Sequence, residues 1–134
     1  MKLGLLLFIL AWSSLLVGNT IAGPVRVLFL GHESKLHNSN EYYPVLSKSL
    51  GQDAIYFDYV TSVNQALDDA DYLNRFDALL LYANHPKLTS VQWKNLLSFV
   101  RSGKGFVPIH CASWCFSNIP EYDQLVGGRF KSHQ

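Results

Sequence analysis

The sequence carries little net charge, and this shortage excludes several classes of protein. Lys and Arg number 11 against 10 Asp and Glu, which leaves a net charge of +1 over 134 residues. A balance this close to neutral gives no electrostatic reason to expect nucleic acid as a partner. The apolar fraction of 49% excludes disorder, and the length fits one globular domain.

Cysteine is also scarce, since Cys111 and Cys115 are the only two. One pair cannot complete a thiolate zinc site. A spacing of four residues within a helix aligns the side chains poorly for a disulfide. Two small, partly buried thiols are therefore expected, with one disulfide as the alternative in an exported protein. Neither a G-x-G-x-x-G pattern nor a Walker pattern is present, so no phosphate loop is predicted.

The apolar segment at the N-terminus is too short to be a typical membrane span. Its apolar stretch runs from Leu3 to about Val17, which is short for a span. Small residues precede Gly23 at the positions typical of signal-peptidase cleavage. We therefore predict a signal peptide over residues 1–22 and a secreted or periplasmic protein with no stable span after cleavage. An uncleaved N-terminal anchor is the alternative.

Apolar runs and helical patterns alternate along the rest of the chain. Runs of about six apolar residues are typical of strands buried on both faces of a parallel sheet. The predicted strands cover Val25–Leu30, Asp53–Val60, Ala78–Tyr82 and Phe106–Ile109. Their alternation with helices predicts a doubly wound α/β fold, with helices on both faces of the sheet.

Helix signals lie between these strands. Ser62 and Thr89 each begin a capping box, with glutamine three residues later. An earlier helix is expected from about Asn40, with Pro44 in its first turn and Gly51 as its stop. The expected apolar stripes of the three helices are Tyr42, Val45, Leu46 and Leu50; Val63, Leu67 and Ala70; and Trp93, Leu96, Leu97 and Val100.

Three of the predicted strands run into a histidine: His32, His85 and His110. Parallel strands end at the same edge of a sheet, where ligands of such folds bind. We expect these three histidines to form the floor of a catalytic site, approached by His37 from the first loop and by His133. Imidazole can transfer protons near neutral pH. The floor histidines are also the candidate ligands for a Zn²⁺-like divalent metal, and binding to a sugar or other polyol is equally compatible. The alternative for each histidine is a loop residue that caps a helix or bonds to the backbone.

The segment Ile109-His110-Cys111-Ala112-Ser113 follows the fourth strand directly. This is the position of a nucleophile elbow, although the G-x-S-x-G pattern is absent. A thiol at a helix N-terminus beside His110 can have a lowered pKa, so Cys111 is a candidate catalytic residue. The alternative is a small residue suited to a tight turn. Trp114 and Phe116 either wall a sugar site or pack in the core.

Several motifs in order resemble ThuA-like (trehalose-utilisation) domains over residues 25–134. These are Leu28-Phe-Leu-Gly-His32 with His37, Asn84-His85, Gly103-Lys-Gly-Phe-Val-Pro-Ile-His110 and Leu125-Val-Gly-Gly-Arg-Phe-Lys-Ser-His133. The resemblance implies a flavodoxin-like, class I glutamine amidotransferase-like three-layer sandwich. It also implies a link to sugar or glycoside metabolism, with Asn84 and Ser113 joining His37 and His133 as candidate ligand-binding residues.

The chain departs from true amidotransferases, whose nucleophilic cysteine occupies the elbow. Here the elbow position falls on His110, and Cys111 comes one residue late. Glutamine hydrolysis is therefore not expected. ThuA-like domains run well beyond the Gly-Gly-x-Phe-x-x-His motif, so we also expect a truncated member that lacks the C-terminal strands.

These observations predict an exported protein that acts in carbohydrate metabolism through a histidine-lined site. The alternatives are a non-catalytic carbohydrate-binding module and an inactive remnant. The expected partner is a small carbohydrate. A homodimer through an exposed sheet edge is a further expectation, because unpaired edge strands invite association.

Overall fold

Four parallel strands form the centre of the computed structural model, which describes residues 23–132. The strands are β1 (Val25–Leu30), β2 (Ile55–Val60), β3 (Ala78–Leu81) and β4 (Gly105–Pro108), and they pair in the order β2-β1-β3-β4. The predicted α/β fold with a parallel sheet is confirmed. The predicted signal peptide and His133 lie outside the described residues.

Helices cover both faces of this sheet. They are α1 (Ser39–Leu50), α2 (Val63–Leu67), α3 (Ala70–Asn74), α4 (Ser90–Arg101) and α5 (Glu121–Val126), with 3₁₀ helices over Gly51–Asp53 and His110–Trp114. Alternate residues of a strand point to opposite faces. Phe29 therefore packs beneath α1, whereas Leu28 and Leu30 pack with α2 to α5 on the other face. No helix in the described part of the chain is long and apolar enough to cross a bilayer.

The apolar stripe predicted for α1 is partly wrong. Tyr43, Leu46 and Leu50 pack on the sheet, whereas Tyr42 and Val45 are 50% and 62% exposed. These two side chains stand one position away from the packed row. They line an open groove above β3 and β4 instead of the core.

The helix expected after Ser62 is two short helices, so Ala70 starts a second helix instead of continuing the first. The Ser62 side chain accepts a hydrogen bond from the Gln65 N–H, as predicted. The Asp69 carboxylate then accepts hydrogen bonds from two backbone N–H groups, at 2.8 and 3.2 Å. Aspartate is a favourable N-cap because its carboxylate accepts hydrogen bonds from the backbone N–H groups of the first helical turn. This second cap divides the segment after Ser62 into α2 and α3.

Candidate functional site

The carboxyl ends of β1, β3 and β4 lie at one edge of the sheet, and a histidine follows each of them. The imidazoles nevertheless form two separate pairs. The His32 and His85 rings lie 5.9 Å apart, and the His37 and His110 rings lie 4.8 Å apart. The expected floor of three histidines is therefore divided.

The first pair is turned toward the backbone. His85 Nε2 lies 2.9 Å from the Gly31 carbonyl oxygen, so this nitrogen carries the proton that it donates. His32 Nδ1 accepts a hydrogen bond from the Asn84 N–H at 3.2 Å. Burial lowers the pKa of His85, and burial followed by the proximity of His85 and His37 lowers that of His32. Both imidazoles therefore connect the loops after β1 and β3 in their neutral form.

The loop after β1 is held close to α1. Ser39 is fully buried, and its Oγ accepts a hydrogen bond from the His32 N–H at 2.7 Å. A Cβ at position 31 would collide with Ser39 and with the Tyr59 ring. Glycine at this position therefore allows the loop to turn tightly from β1 toward His37.

The second pair includes a thiol. His37, His110 and Cys111 place their ligand atoms within 4.8 Å of one another, the only such group among residues 23–132. His32 and His85 are outside it, so the predicted metal trio of His32, His85 and His110 does not assemble. His32 Nδ1 and His85 Nε2 are engaged by the backbone contacts described above.

Cys111 has no activated thiol. Its side chain is buried, and burial raises the pKa of the thiol. The expected lowering fails because Cys111 lies in a 3₁₀ helix of five residues rather than at the start of a long α-helix, where a dipole would favour the thiolate. Burial also raises the pKa of Cys115 to about 12. Both cysteines are free, so the disulfide alternative is wrong.

His110 occupies the elbow itself. Its backbone φ is +52°, in the left-handed region that non-glycine residues adopt rarely and at a cost of about 1–2 kcal/mol. The turn is supported by the Ser113 hydroxyl, which donates to the His110 carbonyl at 3.0 Å. The buried Tyr122 hydroxyl donates to the Ala112 carbonyl at 2.9 Å. The strained conformation exposes the His110 side chain at the edge of the sheet.

A cavity of about 330 Å³ opens beside His110. Its lining consists of His37, Asn84, His110, Cys111, Ser113, Trp114 and Phe130. His32 and His85, the two remaining described candidates, do not line it. Phe116 packs in the core, at 1% exposure.

Two aromatic residues near the cavity are not among the predicted site residues. Phe130 belongs to the C-terminal motif and lines the cavity. The Tyr82 ring lies 6.2 Å from the rings of both His37 and His110. Its place directly after the apolar run of β3 was the available signal, because that place is the ligand edge of the sheet.

One family model matches the chain, and two solved structures share its fold. The family model described as ThuA, trehalose utilisation, matches residues 26–134. The fold resembles a ThuA-like protein from Bacteroides uniformis ATCC 8492 with a TM-score of 0.64 and 16% identity, over 84% of this chain and 47% of that one. It also resembles a ThuA-like protein from Parabacteroides merdae ATCC 43184, with a TM-score of 0.65 and 20% identity, over 82% of this chain and 41% of that one. The chain thus spans less than half of either structure. No curated protein matches the sequence.

Proposed function

Because the chain belongs to the ThuA family, we propose that it acts in carbohydrate metabolism by holding a small sugar-derived ligand in the cavity beside His110. Membership of the family supports a role related to trehalose utilisation at the level of the family. The cavity is the proposed binding place within this chain. Its location beyond the carboxyl ends of parallel strands is the usual ligand edge of such folds.

The observation that carries this proposal is the combination of polar groups and an exposed aromatic ring in one cavity. His37, His110 and Ser113 offer donors and acceptors suited to hydroxyl groups. Trp114 is 52% exposed despite its size, so its ring is available to stack on the C–H face of a sugar. The cavity volume, about 330 Å³, lies at the lower end of the range for small-ligand sites.

The proposed chemistry is proton transfer at a hydroxyl or keto group of the ligand. An imidazole near neutral pH can serve as acid or base, and His110 stands at the mouth of the cavity on a fixed turn. Glutamine hydrolysis is not proposed. The elbow residue is a histidine, and the buried Cys111 thiol is protonated at neutral pH.

Sugar binding by the full chain tests the proposal. A panel of disaccharides and keto-sugars that begins with trehalose would be titrated by calorimetry. We expect saturable binding of at least one member. The replacement Trp114→Ala should weaken this binding about two- to tenfold, because a stacked aromatic ring contributes about 0.5–1.5 kcal/mol. The matched control is Tyr56→Ala on β2, which removes a ring that is 54% exposed far from the cavity.

Two results would overturn sugar binding at this cavity: no saturable binding across the panel, or equal losses in Trp114→Ala and Tyr56→Ala. A turnover assay then distinguishes catalysis from binding alone. If the wild type consumes a bound sugar and His110→Ala does not, the protein is an enzyme that uses His110. A sugar that is bound and never consumed supports the binding-module alternative, which the exposed Trp114 also favours.

A further inference from the structure

We propose that His37, His110 and Cys111 form a binding site for a thiophilic divalent cation, with Zn²⁺ as the first candidate. Their ligand atoms lie within 4.8 Å of one another. Zinc bonds of about 2.0–2.3 Å place neighbouring ligand atoms roughly 3.5 Å apart. Small rotations of the two imidazoles would close that difference.

The donor set determines which cations fit. Two imidazole nitrogens and one thiolate sulfur suit Zn²⁺ or copper, whereas Mg²⁺ and Ca²⁺ prefer oxygen ligands. No carboxylate belongs to the cluster in the described part of the chain. Three protein ligands with a remaining open position are typical of catalytic zinc sites and not of structural ones. The open position would face the cavity that these same residues line.

The surrounding structure holds two of the ligands firmly. His110 and Cys111 are adjacent on the elbow, where the backbone of His110 is left-handed and Cys111 is buried. His37 comes from the loop that Ser39 ties to β1. The Tyr82 ring lies 6.2 Å from both imidazoles. These contacts restrict the motion of the ligands before a cation arrives.

Binding changes the chemical state of the thiol. The cation replaces the proton on Cys111 Sγ, a sulfur–metal bond forms, and the proton leaves to solvent without any change of oxidation state. In the metal-loaded protein His110 is a ligand and not the acid or base, so the use of the ion in turnover is a variant of the proposed carbohydrate function and rests on it. Uptake of the ion does not, and it can be measured without sugar.

Cobalt substitution of the full chain tests the site. Co²⁺ bound by a thiolate gives a sulfur-to-metal charge-transfer absorption in the near ultraviolet, which displacement by Zn²⁺ removes. We expect saturation at one ion per chain. Replacement Cys111→Ser should abolish the charge-transfer absorption. His110→Gly and His37→Gln should each weaken binding at least tenfold. Glycine is chosen at position 110 because it suits the positive φ, so loss of fold does not explain the result.

The controls are a thiol and an imidazole outside the cluster. Cys115 Sγ donates to the Ala83 carbonyl, and His85 bonds to Gly31. Cys115→Ala and His85→Gln should therefore keep both the absorption and the affinity. The absence of a charge-transfer band, its persistence in Cys111→Ser, or its loss in Cys115→Ala alone would refute the site. Sugar binding without metal uptake would refute the metal site and would not affect the proposed carbohydrate function. Metal uptake without sugar binding would refute the carbohydrate function and would not affect the metal site.

Discussion

His85 and His110 follow neighbouring strands of the same sheet, yet their surroundings give them different properties. The His85 ring is partly buried and is engaged by the Gly31 carbonyl. The His110 side chain is exposed on a left-handed turn beside the cavity. An imidazole that bonds to a backbone carbonyl in the loop packing is a structural group, whereas one that is exposed at a cavity is available to a ligand. The direction of each ring therefore separates the two roles.

The pH dependence of stability follows from His85. Burial lowers its pKa in the folded chain below the ordinary 6.5. As the pH falls, the His85 imidazole therefore binds a proton more readily in the unfolded chain than in the folded one. Above about pH 7 this imidazole does not change the free energy of unfolding, and as the pH falls through 6.5 it lowers that free energy progressively. We expect the Tm of the full chain to decrease between about pH 7 and pH 5, with a smaller decrease in His85→Gln.

Thermal melts across that interval check this prediction. Glutamine retains a side-chain N–H for the Gly31 carbonyl, so the variant removes the titrating group while it keeps a donor. Some decrease should remain in the variant, because the pKa of His32 is lowered as well. A wild-type Tm that does not change, or equal decreases in both proteins, would contradict it.

Local hydrogen bonds determine where the helices of this chain begin. The Thr89 side chain accepts a hydrogen bond from the Gln92 N–H, and the Gln92 side chain accepts one from the Thr89 N–H at 2.8 Å. Gln92 is also buried, and its Nε2 donates to Asn64 and Asp68 of the neighbouring α2 segment. The start of α4 is thereby tied both to its own cap and to the adjacent helix.

Replacement of the cap tests this account of α4. Thr89→Ala leaves one N–H of the first turn without its partner, so it should lower the free energy of unfolding by about 1 kcal/mol. Thr89→Ser keeps the hydroxyl and should remain within a few tenths of a kcal/mol of the wild type. Urea denaturation of the full chain measures both. Equal losses in the two variants would show that the methyl group, and not the cap, supports the helix.

At the scale of the whole molecule, the two faces of the sheet are covered unequally. In residues 23–132, α1 packs on the face that carries Phe29, and α2 to α5 pack on the opposite face. Val107 and Ile109 near the β4 edge stay 45% and 39% exposed. Pro108 also belongs to this edge strand, where its missing N–H is tolerated because no further strand pairs with it in the described residues.

This exposed edge predicts self-association of the chain. Apolar side chains beside an unpaired strand favour contact with a second copy. We expect the sedimentation coefficient of the full chain to rise with concentration, and Val107→Lys to reduce that rise. The matched control is Val91→Lys on α4, where the valine is 57% exposed away from this edge. A sedimentation coefficient independent of concentration, or equal effects of the two lysines, would contradict the prediction.

The predicted strands and helices were largely correct because each is defined by a local pattern of a few neighbouring residues. Apolar runs marked the strands, and the capping box at Thr89 marked the start of α4. The predicted apolar stripe of α1 was wrong at Tyr42 and Val45. The sequence of a helix does not show which of its sides is covered, because that depends on what packs over β3 and β4. The prediction of one helix after Ser62 was wrong because Asp69 caps a second helix in the same segment.

The sequence by itself determined the alternation of strands and helices, the parallel sheet, and the edge at which its histidines collect, because these follow from periodicity and chain direction. Only the tertiary structure decided that His37 joins His110 and Cys111 while His32 pairs with His85. That choice depends on hydrogen bonds between distant segments, such as His85 to Gly31, and on the left-handed turn at His110. Neither leaves a local pattern in the chain, because ring direction is set by partners that only folding brings together.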